Sequence, residues 1–305
     1  MILKRKNLLD FITRLQGFLQ TLFFPAMLPL RGNSLLKQGV LYTCLFTSSM
    51  YLISCEKVIQ LDLNSAEKKY VIEASLADQA GSCKVTLTQT KNFDENNTFN
   101  GVSGAVVTIA DNNGTPQTLT ETSAGVYEAT MLTGIPLHSY QLTVKVAGEV
   151  YTATSVMSRR VPLDSLYITE RTFFDEANKY ATVRYKDPAG EKNAYRFIQY
   201  VNGKKEKTIF VRDDDSNDGL AVERALLFFY DDDEEEAKKL KSGDSLRVEM
   251  LCISYPVYKY WYSLTESSTG ENQSATPGNP VTNIQGGALG YFSAHTLQSK
   301  SIVIP

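Results

Sequence analysis

Cys83-Lys84-Val85-Thr86-Leu87-Thr88 alternates apolar and polar side chains at every step. That period of two marks a strand with one buried face. Tyr70-Val71-Ile72-Glu73-Ala74-Ser75-Leu76 is a second such run before it, and residues 105–110 make a denser apolar run after it, read as a central strand. Asn112-Asn113-Gly114 is a strong turn signal between that strand and a run at 117–122. Further runs at 126–130, 140–146 and 150–156 follow, the last after Gly148-Glu149. Seven runs within about 90 residues, with few helical periods, predict an antiparallel β-sandwich of immunoglobulin-like or transthyretin-like type. The cysteine pair of immunoglobulin domains is absent. Residues 91–103, rich in Asn and Gly, read as a long loop between strands.

Beyond Arg159-Arg160-Val161-Pro162 the composition shifts, which places a linker near Pro162 and divides the body into residues 69–160 and 161–305. The second part reads as another antiparallel β domain with one or two short helices. Alternating runs lie at 165–172, 180–186, 195–201 and 207–212, with Asp187-Pro188-Ala189-Gly190 and Asn202-Gly203 as hairpin turns. Residues 220–230 and 245–254 are further strand candidates, and 289–293 and 301–304 read as two closing strands. Residues 231–241 run from acidic to basic ahead of Gly243, an order that suits a short helix. Tyr255, Tyr258, Trp261, Tyr262 and Leu264 recur at spacings of three and four, predicting a helix near 255–266 that packs an aromatic face on the second sheet.

The chain has 305 residues, 43% hydrophobic and 21% charged, which is a globular rather than a disordered profile. A formal net charge of −3 offers no field to hold a polyanion, so nucleic acid is not an expected partner. Two histidines, His138 and His295, remove most metal clusters and most hydrolase constellations.

The start of the chain reads as a leader. Arg31 and Lys37 precede an uncharged stretch of 18 residues, Gln38 to Cys55, and no charge returns until Glu56. It closes on Leu52-Ile53-Ser54-Cys55, which resembles the lipobox of bacterial lipoproteins. A cysteine suits that place because its thiol can become a thioether to diacylglycerol, and several acyl chains anchor where one does not. Residues 1–54 are therefore expected to be a lipoprotein signal peptide, with Met27 opening a segment of ordinary signal length and residues 1–26 an over-extended start. Cys55 is the expected lipidation site and residues 55–68 a tether. Without the leader the chain carries 25 basic and 33 acidic residues, a formal net of −8 over 251 residues. That charge suits a body standing off an anionic membrane surface. Cys83 and Cys252 remain as thiols, read as two separately buried cysteines.

Cys55-Glu56-Lys57-Val58, Leu61-Asp62-Leu63, Tyr70-Val71-Ile72-Glu73-Ala74 and Val102-Ser103-Gly104-Ala105-Val106-Val107 form a familiar series. Gly125-Val126-Tyr127, Tyr140-Gln141-Leu142, Tyr151-Thr152-Ala153 and Ser242-Gly243-Asp244 extend it, and Asn283-Ile284-Gln285-Gly286-Gly287-Ala288-Leu289-Gly290-Tyr291-Phe292-Ser293-Ala294 is its most specific block. Through these residues the chain resembles the lipoproteins of domain-of-unknown-function family 4249 of Bacteroidetes-type bacteria, over essentially Cys55 to Pro305. The resemblance implies an exported outer-membrane lipoprotein that accompanies TonB-dependent receptors. It implies no known reaction and no catalytic residues.

The remaining motifs are weak. Asp213-Asp214-Asp215-Ser216-Asn217-Asp218-Gly219 invites a calcium loop with Asp214 first and Gly219 sixth, but Ala225 stands where a bidentate Glu is required. Asp214 and Asp218 remain weak metal candidates, and a solvated hairpin tip is the plainer reading. The run Asp231-Asp232-Asp233-Glu234-Glu235-Glu236 reads as a solvated loop or helix start. Gly286-Gly287-Ala288-Leu289-Gly290 lacks the Lys-Ser/Thr of a phosphate loop and reads as a turn or bulge feeding the strand at Tyr291. Gly286, Gly287, Tyr291 and Phe292 are a candidate partner surface. His138-Ser139 and Ser293-Ala294-His295 are the two places where hydroxyl and imidazole sit close in sequence, and strand neighbours such as His138 and Ser139 face opposite ways. No cofactor is expected. The reading is a non-enzymatic, lipid-anchored envelope protein, an accessory binding component of a TonB-dependent outer-membrane uptake system; a surface adhesin or glycan-binding module is the alternative.

Overall fold

The alternating runs do pair into sheets. The computed structural model describes residues 67–305 apart from 93–94, 97, 113, 174–175, 228–238 and 269–277. The leader, Cys55 and the Asp231 to Glu236 run therefore lie outside the described residues, as does most of the helix expected at 231–241. Leu63–Pro305 clusters as one compact unit.

The first strands are β1 (Tyr70–Ala77), β2 (Cys83–Gln89), β3 (Val106–Asp111), β4 (Gln117–Thr118), β5 (Thr120–Ser123), β6 (Val126–Ala129), β7 (Ser139–Val146) and β8 (Glu149–Val156). The next are β9 (Leu163–Phe173), β10 (Glu176–Lys186), β11 (Ala194–Val201), β12 (Lys204–Lys205), β13 (Phe210–Asp213), β14 (Ala221–Ala225) and β15 (Ser245–Cys252). Helix α1 (Tyr255–Ser268), β16 (Ile284–Gln285) and β17 (Leu289–Val303) close the chain. Nine strands form one sheet in the order β12-β11-β15-β17-β1-β2-β6-β5, with β13 on β11. A five-stranded sheet runs β16-β8-β7-β3-β4, and a three-stranded one β14-β10-β9.

Burial follows the alternation. Ile72, Leu76, Val85, Leu87 and Tyr127 from the large sheet meet Val107, Ile109, Leu142 and Val144 from the five-stranded sheet in one core. A second core joins Tyr195, Phe197, Val248 and Met250 of the large sheet to Val183, Tyr185 and Val222 of the three-stranded one. The architecture is thus mainly β and sandwich-like. Met157 belongs to the first core and Val161 to the second. The large sheet itself runs unbroken past that point. Arg160 bridges to Asp78, whose other oxygen accepts the Leu297 amide at 2.8 Å.

Three elements differ from the sequence reading. The run at 117–122 divides into β4 and β5 in different sheets. Leu119, 5% exposed between them, sinks into the first core and its amide bonds the Val107 carbonyl, so the chain changes sheet at that residue. The closing strands at 289–293 and 301–304 are one continuous strand, β17. Its first part pairs with β1 as far as His295 and its second part pairs with β15 from Thr296, so one ladder begins where the other ends and the strand continues unbroken. The β1–β17 pairing is parallel, unlike the all-antiparallel arrangement expected. The hairpin turn at Asn202-Gly203 is as the sequence implies: both residues take positive φ, 50° and 78°, matching the two-residue turn that joins β11 to β12.

Candidate functional site

Asp214 and Asp218, the weak metal candidates, are brought together with Asp187, which follows β10 in the Asp187-Pro188-Ala189-Gly190 turn. Carboxylate oxygens of the three lie within 4.8 Å of one another. Asp187 and Asp214 are 1% and 5% exposed. Each carboxylate already has donors from the chain. Tyr195 Oη and the Gly219 amide donate to Asp187, the Asn193 amide donates to Asp214 at 2.6 Å, and the Gly190 amide donates to Asp218 at 2.7 Å. Burial raises the Asp187 carboxyl above its usual range, opposed by the Tyr195 and Gly219 hydrogen bonds. Burial likewise pushes the Tyr195 hydroxyl up, with Asp187 adding to it. Gly219 has φ +74°, and a Cβ there would stand 2.9 Å from Ala189 Cβ, so packing accounts for this glycine without a cation loop. The cluster ties two turns together.

The Asn283–Ala294 block is a joint within the fold. Asn283 grips both backbone groups of Phe292: its Nδ2 donates to the carbonyl at 2.8 Å and its Oδ1 accepts the amide at 2.9 Å. Those groups lie on the edge of β17 that β15 does not reach. Thr282 Oγ1 adds a bond to the Gly290 carbonyl at 2.7 Å. Gly290, at φ +99°, presses against β1, and a Cβ there would fall 2.0 Å from the Ile72 carbonyl oxygen. Of the candidate partner surface, Gly286 and Gly287 are exposed, whereas Phe292 is 0% exposed in the first core and offers nothing to a partner. Tyr291, partly buried, lies against Tyr260 and Trp261 with ring centroids at 4.8 and 5.0 Å. Alternation along β17 explains the split, because residues 291 and 292 face opposite sides.

Ser293 and His295 share one face, and Ser293 Oγ lies 2.9 Å from His295 Nδ1. Proximity is there, but access is not: they are 3% and 6% exposed. Burial, with the Arg196 charge second, lowers the His295 pKa to about 4, so the ring is neutral at physiological pH. His138 Nδ1 instead contacts Asp111 Oδ2 at 2.7 Å, not Ser139. Cys83 and Cys252 are free thiols buried in separate cores, and burial raises both, Cys83 to about 12.

Helix α1 lies on the outer face of the large sheet. Val257, Tyr260 and Trp261 join Ala194, Leu251 and Ile253 in a third core. Pro256 at the start of α1 needs no amide partner there. The aromatic stripe divides: Trp261 is 8% exposed, while Tyr255, Tyr258 and Tyr262 stack in a row with centroids 5.4 and 5.7 Å apart, Tyr262 47% exposed. Beside Trp261 opens a cavity of about 340 Å³ lined by Arg196, Ile198, Lys205, Lys207 and Ile209. The Arg196 guanidinium carbon sits 3.4 Å above the Trp261 ring centroid. Sequence reasoning passed over this pocket. Its one available signal was a lone arginine between Tyr195 and Phe197 in an alternating strand.

A family model described as "Domain of unknown function (DUF4249)" matches residues 56–301. No curated protein matches the chain.

Proposed function

Because the chain belongs to the DUF4249 family, whose description assigns no activity, we propose its role from the leader and the body: a lipid-anchored cell-envelope protein that acts by binding, as an accessory of a TonB-dependent outer-membrane nutrient-uptake system. The observation that carries the reading is Leu52-Ile53-Ser54-Cys55 at the end of an uncharged 18-residue stretch, set just ahead of a compact body. Diacylglycerol on Cys55, with further acylation of the amino group freed by cleavage, supplies an anchor of two or three chains at about 0.8 kcal/mol per buried methylene. The acidic body, at −8 from Cys55 onward, favours standing clear of anionic lipid. The hydroxyl and imidazole of Ser293 and His295 are sealed from any substrate, which favours binding over nucleophilic catalysis.

The test is a mild-detergent pull-down of the C-terminally tagged chain from its native membrane, read by mass spectrometry, with Cys55→Ala as control. Recovery of one β-barrel transporter, reduced in the variant, is the expected outcome. Membranes that hold the lipidated protein but release no transporter would overturn the uptake role. A surface adhesin or glycan-binding module is the second reading, favoured by the Tyr255, Tyr258 and Tyr262 stack as a sugar platform. Glycan arrays separate the two.

A further inference from the structure

We propose that the pocket between β11 and α1 binds a small organic monocarboxylate, its carboxylate held by Arg196 and Lys205 and its apolar body by Ile198, Ile209 and the Trp261 ring. The inference goes beyond the membrane reading and does not depend on it.

The cations in this pocket lack acid partners. Among the described residues no carboxylate lies within 4.0 Å of Arg196, Lys205 or Lys207. Arg196 Nε is buried and makes no hydrogen bond. Such a donor costs stability unless something accepts from it, and charged groups cost most. Arg196 stands on the outer face of β11, where α1 covers it and Trp261 stacks on it. Burial lowers the Arg196 and Lys205 pKa values, and in Lys205 the Arg196 charge is the next cause. An anion between them relieves both.

The charge balance selects the class of anion. Glu249 is already engaged by Arg247 and by the Tyr200 hydroxyl. Glu206 lines the pocket and Glu73 acts on Arg196 from farther off, so the three cations keep one positive charge in excess. A carboxylate carries one negative charge, and its two oxygens match the planar fork of a guanidinium. Phosphate, near two charges, would overfill the site and crowd Glu206. The cavity, about 340 Å³, lies at the lower end of small-molecule sites, and Phe197, Ile198, Ile209 and Trp261 give it an apolar part.

Trp261 is the chain's single tryptophan, so its emission reports on this pocket alone. The full chain in mild detergent is titrated with sodium hexanoate, with hexanamide as the uncharged counterpart and inorganic phosphate as the competing anion, at constant ionic strength. Saturation-transfer NMR on the same mixtures covers the case of silent emission. Hexanoate is expected to bind saturably and hexanamide and phosphate not to. Lys205→Gln, on the two-residue edge strand β12 and outside the three cores, is expected to fold and to weaken binding about tenfold. Arg196→Lys keeps the charge, removes the fork and is expected to weaken it similarly. Equal binding of hexanamide, binding of phosphate alone, hexanoate binding unchanged in Lys205→Gln, or no binding by either measurement overturns the proposal.

Discussion

His295 makes stability depend on pH in a defined direction. Its pKa is about 4 in the folded chain against 6.5 when unrestrained, so the unfolded chain takes up a proton first as pH falls. The contribution is complete above pH 6.5 and lost progressively toward pH 4, by about 3 kcal/mol in all. Urea denaturation at pH 7 and pH 4.5 should therefore show a large loss for the wild type. His295→Gln, which cannot protonate, should be weaker at pH 7 but flatter between the two. Equal slopes would refute this assignment. At this scale the sequence was partly legible. Ser293 and His295 stood out as close in sequence, but the expected strand stopped at Ser293, so neither their shared face nor their burial could be read. Asp214 and Asp218 were visible as a pair, while Asp187 joins them from a turn more than two strands upstream, a distance that no spacing rule reaches.

Elements were legible wherever the period of two decided them, as in β2, β7 and β8, and wherever a turn signal fixed a hairpin, as at Asn202-Gly203. They failed where tertiary partners decide. β17 looked like two short strands because nothing along the chain reveals that its polar centre is paired on one side by β1 and then on the other by β15. The parallel join also gives the C-terminal glycines different weights. Gly290→Ala would put a Cβ 2.0 Å from the Ile72 carbonyl oxygen at φ +99°, so β1 and β17 must separate, at about 3 kcal/mol or more. Gly287→Ala, at φ +92° with nothing within 4 Å, should cost about 1 kcal/mol through backbone strain alone. Thermal denaturation of the two variants checks the order, and equal losses would mean that the close approach to β1 is not what fixes Gly290.

The whole molecule is organised around β17, which supplies Phe292 and Ala294 to the first core and pairs β15 beside the second. Composition shifts near Pro162, but residues on both sides of it belong to one compact unit and one large sheet, and a strand shared from the far end of the chain leaves no local mark. A chain ending at Ala288 removes that strand from both, and circular dichroism during urea titration should find no cooperative transition in either half. A surviving transition from residues 69–160 would show that the first core closes without β17.

The union of β1 with β17 also bears on the order of events in synthesis. One edge of the sheet's first strand stays open until Leu289–Val303 has left the ribosome, so this sheet is completed by a pairing of long sequence separation, made late in synthesis.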